Sequence, residues 1–183
     1  MRKTLNCSGY KNTISIYPWN RAYQQASENK NTLIYSIARL KEREHQFKWI
    51  GIIGYTESYL YKLKHRIDIK IEKLDDAKQY HLGLLKDDFV TQVLNNNGFI
   101  EHKNYSLYLD AKSKLPMLFD GRYELIEGNP QVMKIQARMQ KFNFNELVKM
   151  YPIIKKQPLY LAMNIDSDRT IVTKLQNCLQ QQL

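Results

Sequence analysis

Ser36-Ile37-Ala38-Arg39-Leu40-Lys41-Glu42-Arg43-Glu44 follows directly on a short apolar run, Leu33-Ile34-Tyr35-Ser36-Ile37. The run predicts a strand, and Leu40 to Glu44 predicts a short helical turn that sets Arg43 just past the strand end. A guanidinium is a planar fork of donors that grips a carboxylate by two parallel charge-assisted bonds, and strand ends are where open α/β sheets present their ligand crevices. Arg43 therefore reads as an anion clamp. The plainer alternative is a surface arginine paired with Glu42 or Glu44, and spacing alone leaves both open.

Working outward, Thr13 to Tyr17 alternates polar and apolar positions and predicts a strand, after which Pro18 opens a helix running to about Asn29. Strand, helix, strand favours a parallel α/β sheet. Tyr55 to Lys64 reads as an extended crossover whose tyrosines, Tyr55, Tyr59 and Tyr61, line a cleft or pack under a loop. The pattern restarts at Ile71 with a short helix over Leu74 to Lys78 and a strand over His81 to Leu85. A helix N-capped by Asp87 or Asp88 follows and ends near Gly98. Leu115 to Phe119 predicts a short helix closed by Gly121, and Tyr123 to Ile126 a strand. Val132, Ile135 and Met139 recur at helical spacing and are read as the core face of a helix over 130–141. A strand over Leu159 to Met163 and a helix from about Asp168 to Gln182, capped by Asp166 or Ser167, close the chain.

Three segments in order carry a family resemblance. Tyr17-Pro18-Trp19-Asn20-Arg21-Ala22, then the Ser36 to Glu44 segment, then Phe47-Lys48-Trp49-Ile50-Gly51 is similar to the amino-acid-type solute-binding proteins of bacterial ABC transporters. Downstream, Lys73 to Asp76 with Tyr80 to Leu85 resembles the opening of that family's second lobe. Gly121-Arg122-Tyr123-Glu124 resembles its Gly-Arg-x-Asp turn, and Leu159 to Met163 its return to the first lobe. The resemblance implies an α/β, two-lobe type II periplasmic-binding-protein-like fold, with lobe one over 1–58 and 130–183 and lobe two over 59–129. It implies a polar amino acid or similar small carboxylate held in an interlobe cleft for ABC-type import, no enzyme activity, no cofactor, and ABC permease membrane subunits as partners. The periplasm is the implied location, although Met1 to Lys11 lacks the apolar core of a secretory signal.

Carried over residue by residue, Arg43 matches the carboxylate arginine and Ser36 a small polar residue near the same strand end, with Trp19 and Arg39 beside them. Ala38 and Leu40 stand where the family carries hydroxyls. In the second lobe Asp88 stands where Ser or Thr begins the helix, and Asn129 stands about where the ammonium-binding acid is found. An amide supplies no negative charge, so Glu127 or Asp88 is expected to provide it. The family's first strand and helix have no counterpart ahead of Thr13. This suggests an incomplete first lobe, a homodimer that completes its sheet, or a non-binding remnant acting as a structural or regulatory oligomer.

Composition narrows the alternatives. Of 183 residues, 43% are hydrophobic and 11% aromatic, which is enough for a packed core. Lys+Arg 28 against Asp+Glu 18 gives a net charge of +10, but the basic residues are interleaved with acids and follow no nucleic-acid-binding pattern, so anionic solutes or membranes are favoured over nucleic acid. His45, His65, His81 and His102 form no metal-ligand spacing, and no nucleophile elbow, phosphate loop or dinucleotide fingerprint is present. Cys7 and Cys178 either pair in an oxidising compartment or remain two free thiols.

Overall fold

The computed structural model describes residues 1–182, and the fold is mixed α/β. Its elements are α1 (Arg2–Ser8), α2 (Trp19–Glu28), β1 (Leu33–Ala38), β2 (Phe47–Leu63), β3 (Leu82–Leu85), α3 (Phe89–Asn96), β4 (Tyr105–Tyr108), α4 (Lys114–Phe119), β5 (Leu125–Gly128), α5 (Pro130–Met139), β6 (Leu147–Asn164) and α6 (Arg169–Gln180). The strands hydrogen-bond in the order β1-β6-β2-β5-β3-β4. The chain divides into two compact units, 1–55 with 157–183 and 56–156, and β2 and β6 each run from one unit into the other.

In the first unit β1 pairs antiparallel with β6, from Leu33 opposite Met163 to Ala38 opposite Leu159. The register shifts between Tyr35 and Ile37, where Ser36 takes φ 60°, a conformation uncommon outside glycine. Successive β1 side chains face opposite ways. Leu33 and Tyr35 join a cluster with Met1, with Leu5 of α1 and with Val172, Leu175 and Leu179 of α6, whereas Ile34 and Ile37 join Ala26 of α2 and Phe47. A Cβ on Gly51 would stand 2.7 Å from the end of the Leu179 side chain, which would have to shift to admit it. A disulfide joins Cys7 of α1 to Cys178 of α6, which settles the open question about these cysteines.

In the second unit β3 lies parallel to both β4 and β5, and β5 runs antiparallel to β2. One core gathers Leu60, Leu82, Leu84, Val90 and Leu94, and another Tyr61, Leu115, Leu118, Ile126 and Met133. Gly83 admits the Tyr123 ring, since a Cβ there would lie 2.3 Å from it. Asp88 caps α3 by accepting from the Val90 N–H, and Asn129 caps α5 by accepting from the N–H groups of Gln131 and Val132.

Several expectations are corrected. Thr13 to Tyr17 forms no strand. The crossover expected over Tyr55 to Lys64 is the second half of a much longer strand, and the strand expected over Leu159 to Met163 is likewise the end of β6. Val132, Ile135 and Met139 are exposed, whereas Met133 and Ala137, about a third of a turn away, face the core. The helical period was present, but two faces competed for it. Asp168, not Asp166 or Ser167, occupies the α6 N-cap. Met133, Ala137 and Leu147 pack into one core of the unit 56–156.

Candidate functional site

The first unit buries a cation. Arg43 lies on a short 3-10 turn (Lys41–Arg43) and is only 3% exposed. One guanidinium nitrogen donates to the Ala38 carbonyl oxygen at 3.3 Å, and the group stands 5.5 Å from the Trp19 ring centre and 5.1 Å from that of Tyr23. Trp19 and Tyr23 sit four apart on α2, so the helix presents both rings on one side. The π faces are negative and offset part of the cost of burying the charge. Arg39 binds Glu44, through two guanidinium nitrogens, while lying over Trp49 and Tyr160. That hydrogen bond, partly opposed by burial, raises the Arg39 pKa. Ser36 is exposed at the β1 bulge and, with Trp19, lines a cavity of about 440 Å³. Of the expected residues in this unit, Trp19 stands by the Arg43 guanidinium and also lines the cavity with Ser36, while Arg39 is committed to its own ion pair.

The second unit buries a neutralised carboxylate. Glu127, near the end of β5, receives Lys114 Nζ on Oε1 at 2.9 Å and the Ser58 hydroxyl on Oε2 at 3.0 Å, and Lys114 also donates to the Glu127 carbonyl at 2.8 Å. Both side chains are about one-tenth exposed. Two tyrosine hydroxyls lie buried in the same core: that of Tyr61 has no hydrogen-bond partner among the described residues, and that of Tyr108 faces the Glu127 carboxylate. Burial, with Glu57 and other negative neighbours adding to it, pushes the Tyr61 phenol up to about 12. Burial first and the Glu127 carboxylate next raise that of Tyr108. Both therefore stay neutral. Asn129 adds weaker contacts from its amide to the Thr56 hydroxyl at 3.4 Å and the Glu57 carbonyl at 3.3 Å.

Glu127 and Asn129 come together at the β5 end, and Asp88 serves α3 as its cap. Lys114 was not foreseen as a partner of Glu127, because thirteen residues separate them and a lysine opening a helix ordinarily reads as solvated. Tyr61 was foreseen as part of a tyrosine stripe, and it packs in the core rather than lining a cleft. Among the described residues no His, Cys, Asp and Glu cluster suits a metal ion, and no helix is long and apolar enough to cross a membrane.

No protein-family model matches the chain, and no curated protein matches its sequence. Solved structures do match its fold. A histidine kinase sensor domain described as similar to periplasmic binding proteins superimposes with a TM-score of 0.85 at 14% identity, over 98% of this chain and 76% of that one. Holo ArgBP from T. maritima gives 0.80 at 9% identity over 99% and 76% of the two chains. A putative L-cystine ABC transporter protein from Listeria monocytogenes gives 0.78 at 14% identity over 98% and 76%. The chain has a type II periplasmic-binding-protein-like fold.

Proposed function

We propose that the chain is a solute-binding protein that holds a polar amino acid or similar small carboxylate and delivers it to the membrane subunits of an ABC-type importer. The observation that carries this reading is Arg43: a cation buried between Trp19 and Tyr23 and fixed by the Ala38 carbonyl, on a fold shared with arginine- and cystine-transport proteins. In this role Arg43 grips the carboxylate, with Ser36 and Trp19 beside it. On the second unit Glu127 already holds the Lys114 ammonium, and Asp88 and Asn129 cap α3 and α5. Selection then rests on the carboxylate more than on an α-ammonium. The Cys7–Cys178 disulfide favours an oxidising location, the periplasm or cell exterior.

Calorimetry with L-arginine, L-glutamine, L-cystine and succinate tests the reading. At least one should bind with micromolar affinity, about −8 kcal/mol, and a hundredfold excess should stabilise the fold by about 2.7 kcal/mol. Arg43→Ala should weaken binding by roughly 2 to 3 kcal/mol. Silence across the panel, or an undiminished response from Arg43→Ala, would overturn it.

A second reading, a regulatory module acting through protein association, is favoured by the sensor-domain match at TM-score 0.85. Under it the chain forms a homodimer that completes the first-lobe sheet, and concentration-dependent dimerisation without any solute response would be expected.

A further inference from the structure

We propose that the second unit docks on an anionic phospholipid surface through one face of α5, with Val132, Ile135 and Met139 entering the headgroup boundary and Lys134 and Arg138 meeting lipid phosphates. This goes beyond solute binding and does not depend on it.

The face is recognised from what it exposes. Val132 is 48%, Ile135 58% and Met139 77% exposed. Among the described residues these are the exposed large hydrophobics that lie on a helix, whereas Ile67, Ile100 and Leu109 stand singly outside the helices and strands, which is ordinary for a folded surface. At about 100° of turn per residue the three fall within an arc of about 60° and span about 10 Å along the axis. They form one continuous stripe. Met133 and Ala137, on the other side of α5, are fully buried in a core of the same unit, so the helix is held against the fold with its stripe facing out.

Charge and shape specify the occupant. Going round the helix, Arg138 and Lys134 follow the stripe on one flank and Gln136 and Gln140 on the other, and Lys141 stands just past the C-terminal end. Lys134, Arg138 and Lys141 are exposed, residues 130–141 include no Asp or Glu, and among the described residues none of the three cations forms an ion pair. The complementary partner is therefore anionic. It must also accept apolar side chains from the convex side of a helix, which offers no concave wall to a small solute. A layer of anionic headgroups over acyl chains meets both requirements, because lysine and arginine stems lie along the apolar boundary while their charged ends reach the phosphates. The net charge of +10 on the whole chain adds long-range attraction to the same surface.

The test is flotation of the intact chain with vesicles of phosphatidylglycerol and phosphatidylcholine in equal parts. The chain should bind these at least about tenfold more strongly than vesicles of phosphatidylcholine alone, and added salt should weaken the binding. Val132→Ser, Ile135→Ser and Met139→Ser combined should weaken it at least about tenfold, and so should Lys134→Gln with Arg138→Gln. An unchanged melting temperature checks that these variants fold, and the comparison of the two vesicle types needs no variant. Ile135→Trp should add an emission that moves to the blue on the mixed vesicles and is quenched by brominated lipid. Equal binding to both vesicle types, or binding that survives loss of the three apolar side chains, would overturn the proposal. So would tighter binding to poly-glutamate than to the mixed vesicles, since an acidic polypeptide would then be the occupant. Dimerisation that the triple variant loses would overturn it in favour of a second copy.

Discussion

In the second unit β3 has a parallel neighbour on either side and two apolar clusters around it, so the strand at its centre satisfies its backbone within the unit. In the first unit β1 has β6 on one side and a cavity on the other, and its terminal helices are joined covalently through Cys7 and Cys178. Each unit also buries charge. Lys114 and Glu127 neutralise one another inside the second unit, and Arg43 in the first lies beside two aromatic rings and the Ala38 carbonyl. The contrast teaches that one unit sets a charged pair inside its core, while the other ties its terminal helices covalently.

The largest expected effect attacks the tie. A disulfide closing a sequence separation of 171 should contribute about 5 kcal/mol by restricting the unfolded chain. Reduction, or Cys7→Ser with Cys178→Ser, should lower the melting temperature and speed amide exchange first in α1 and α6. If melting is indifferent to reductant, the first unit needs no tie and the contrast fails. Next in size is the internal pair: Lys114→Ala leaves the Glu127 carboxylate buried beside Ser58 and should cost about 3 to 4 kcal/mol in urea denaturation. Lys114→Met combined with Glu127→Leu should recover most of that loss, and a double variant as unstable as the single one would show that the charges were not the issue.

The smallest effect is a pH dependence carried by Glu124 in the second unit. Burial alone would raise the Glu124 carboxyl, but the hydrogen bonds from Arg66 and the His81 N–H outweigh it and hold the pKa below its usual value. A depressed folded pKa gives stability that is present above the unfolded value, near 4.3, and lost as pH falls through the folded one. Acid titration should therefore show the second unit weakening below about pH 4, and Glu124→Gln should flatten that slope by less than about 1 kcal/mol. An unchanged slope in the variant would assign the acid sensitivity to other carboxylates.

Legibility in the sequence followed the range of the interactions. α2, β1 and the turn bearing Arg43 were readable because Pro18, the apolar run at Leu33 and the charged segment after Ser36 act within a few residues. The Asp88 cap was readable for the same reason. The α5 face was misread because Val132, Ile135 and Met139 fit the helical period as well as Met133 and Ala137 do, and only a neighbour could choose between them. Thr13 to Tyr17 alternates like a strand, yet alternation supplies a propensity and not the partner whose backbone it needs.

Short-range chemistry in the chain was sufficient for the α/β order of elements, the family-like series of motifs and the choice of Arg43 as the anion-binding candidate. Folding in three dimensions was required to bring Cys7 to Cys178, to set Lys114 against Glu127, and to leave β1 and Thr13 to Tyr17 facing a common cavity. These are encounters between residues far apart in the chain. Loop closure and burial set their free energy, and neither quantity is written in the spacing of the residues concerned.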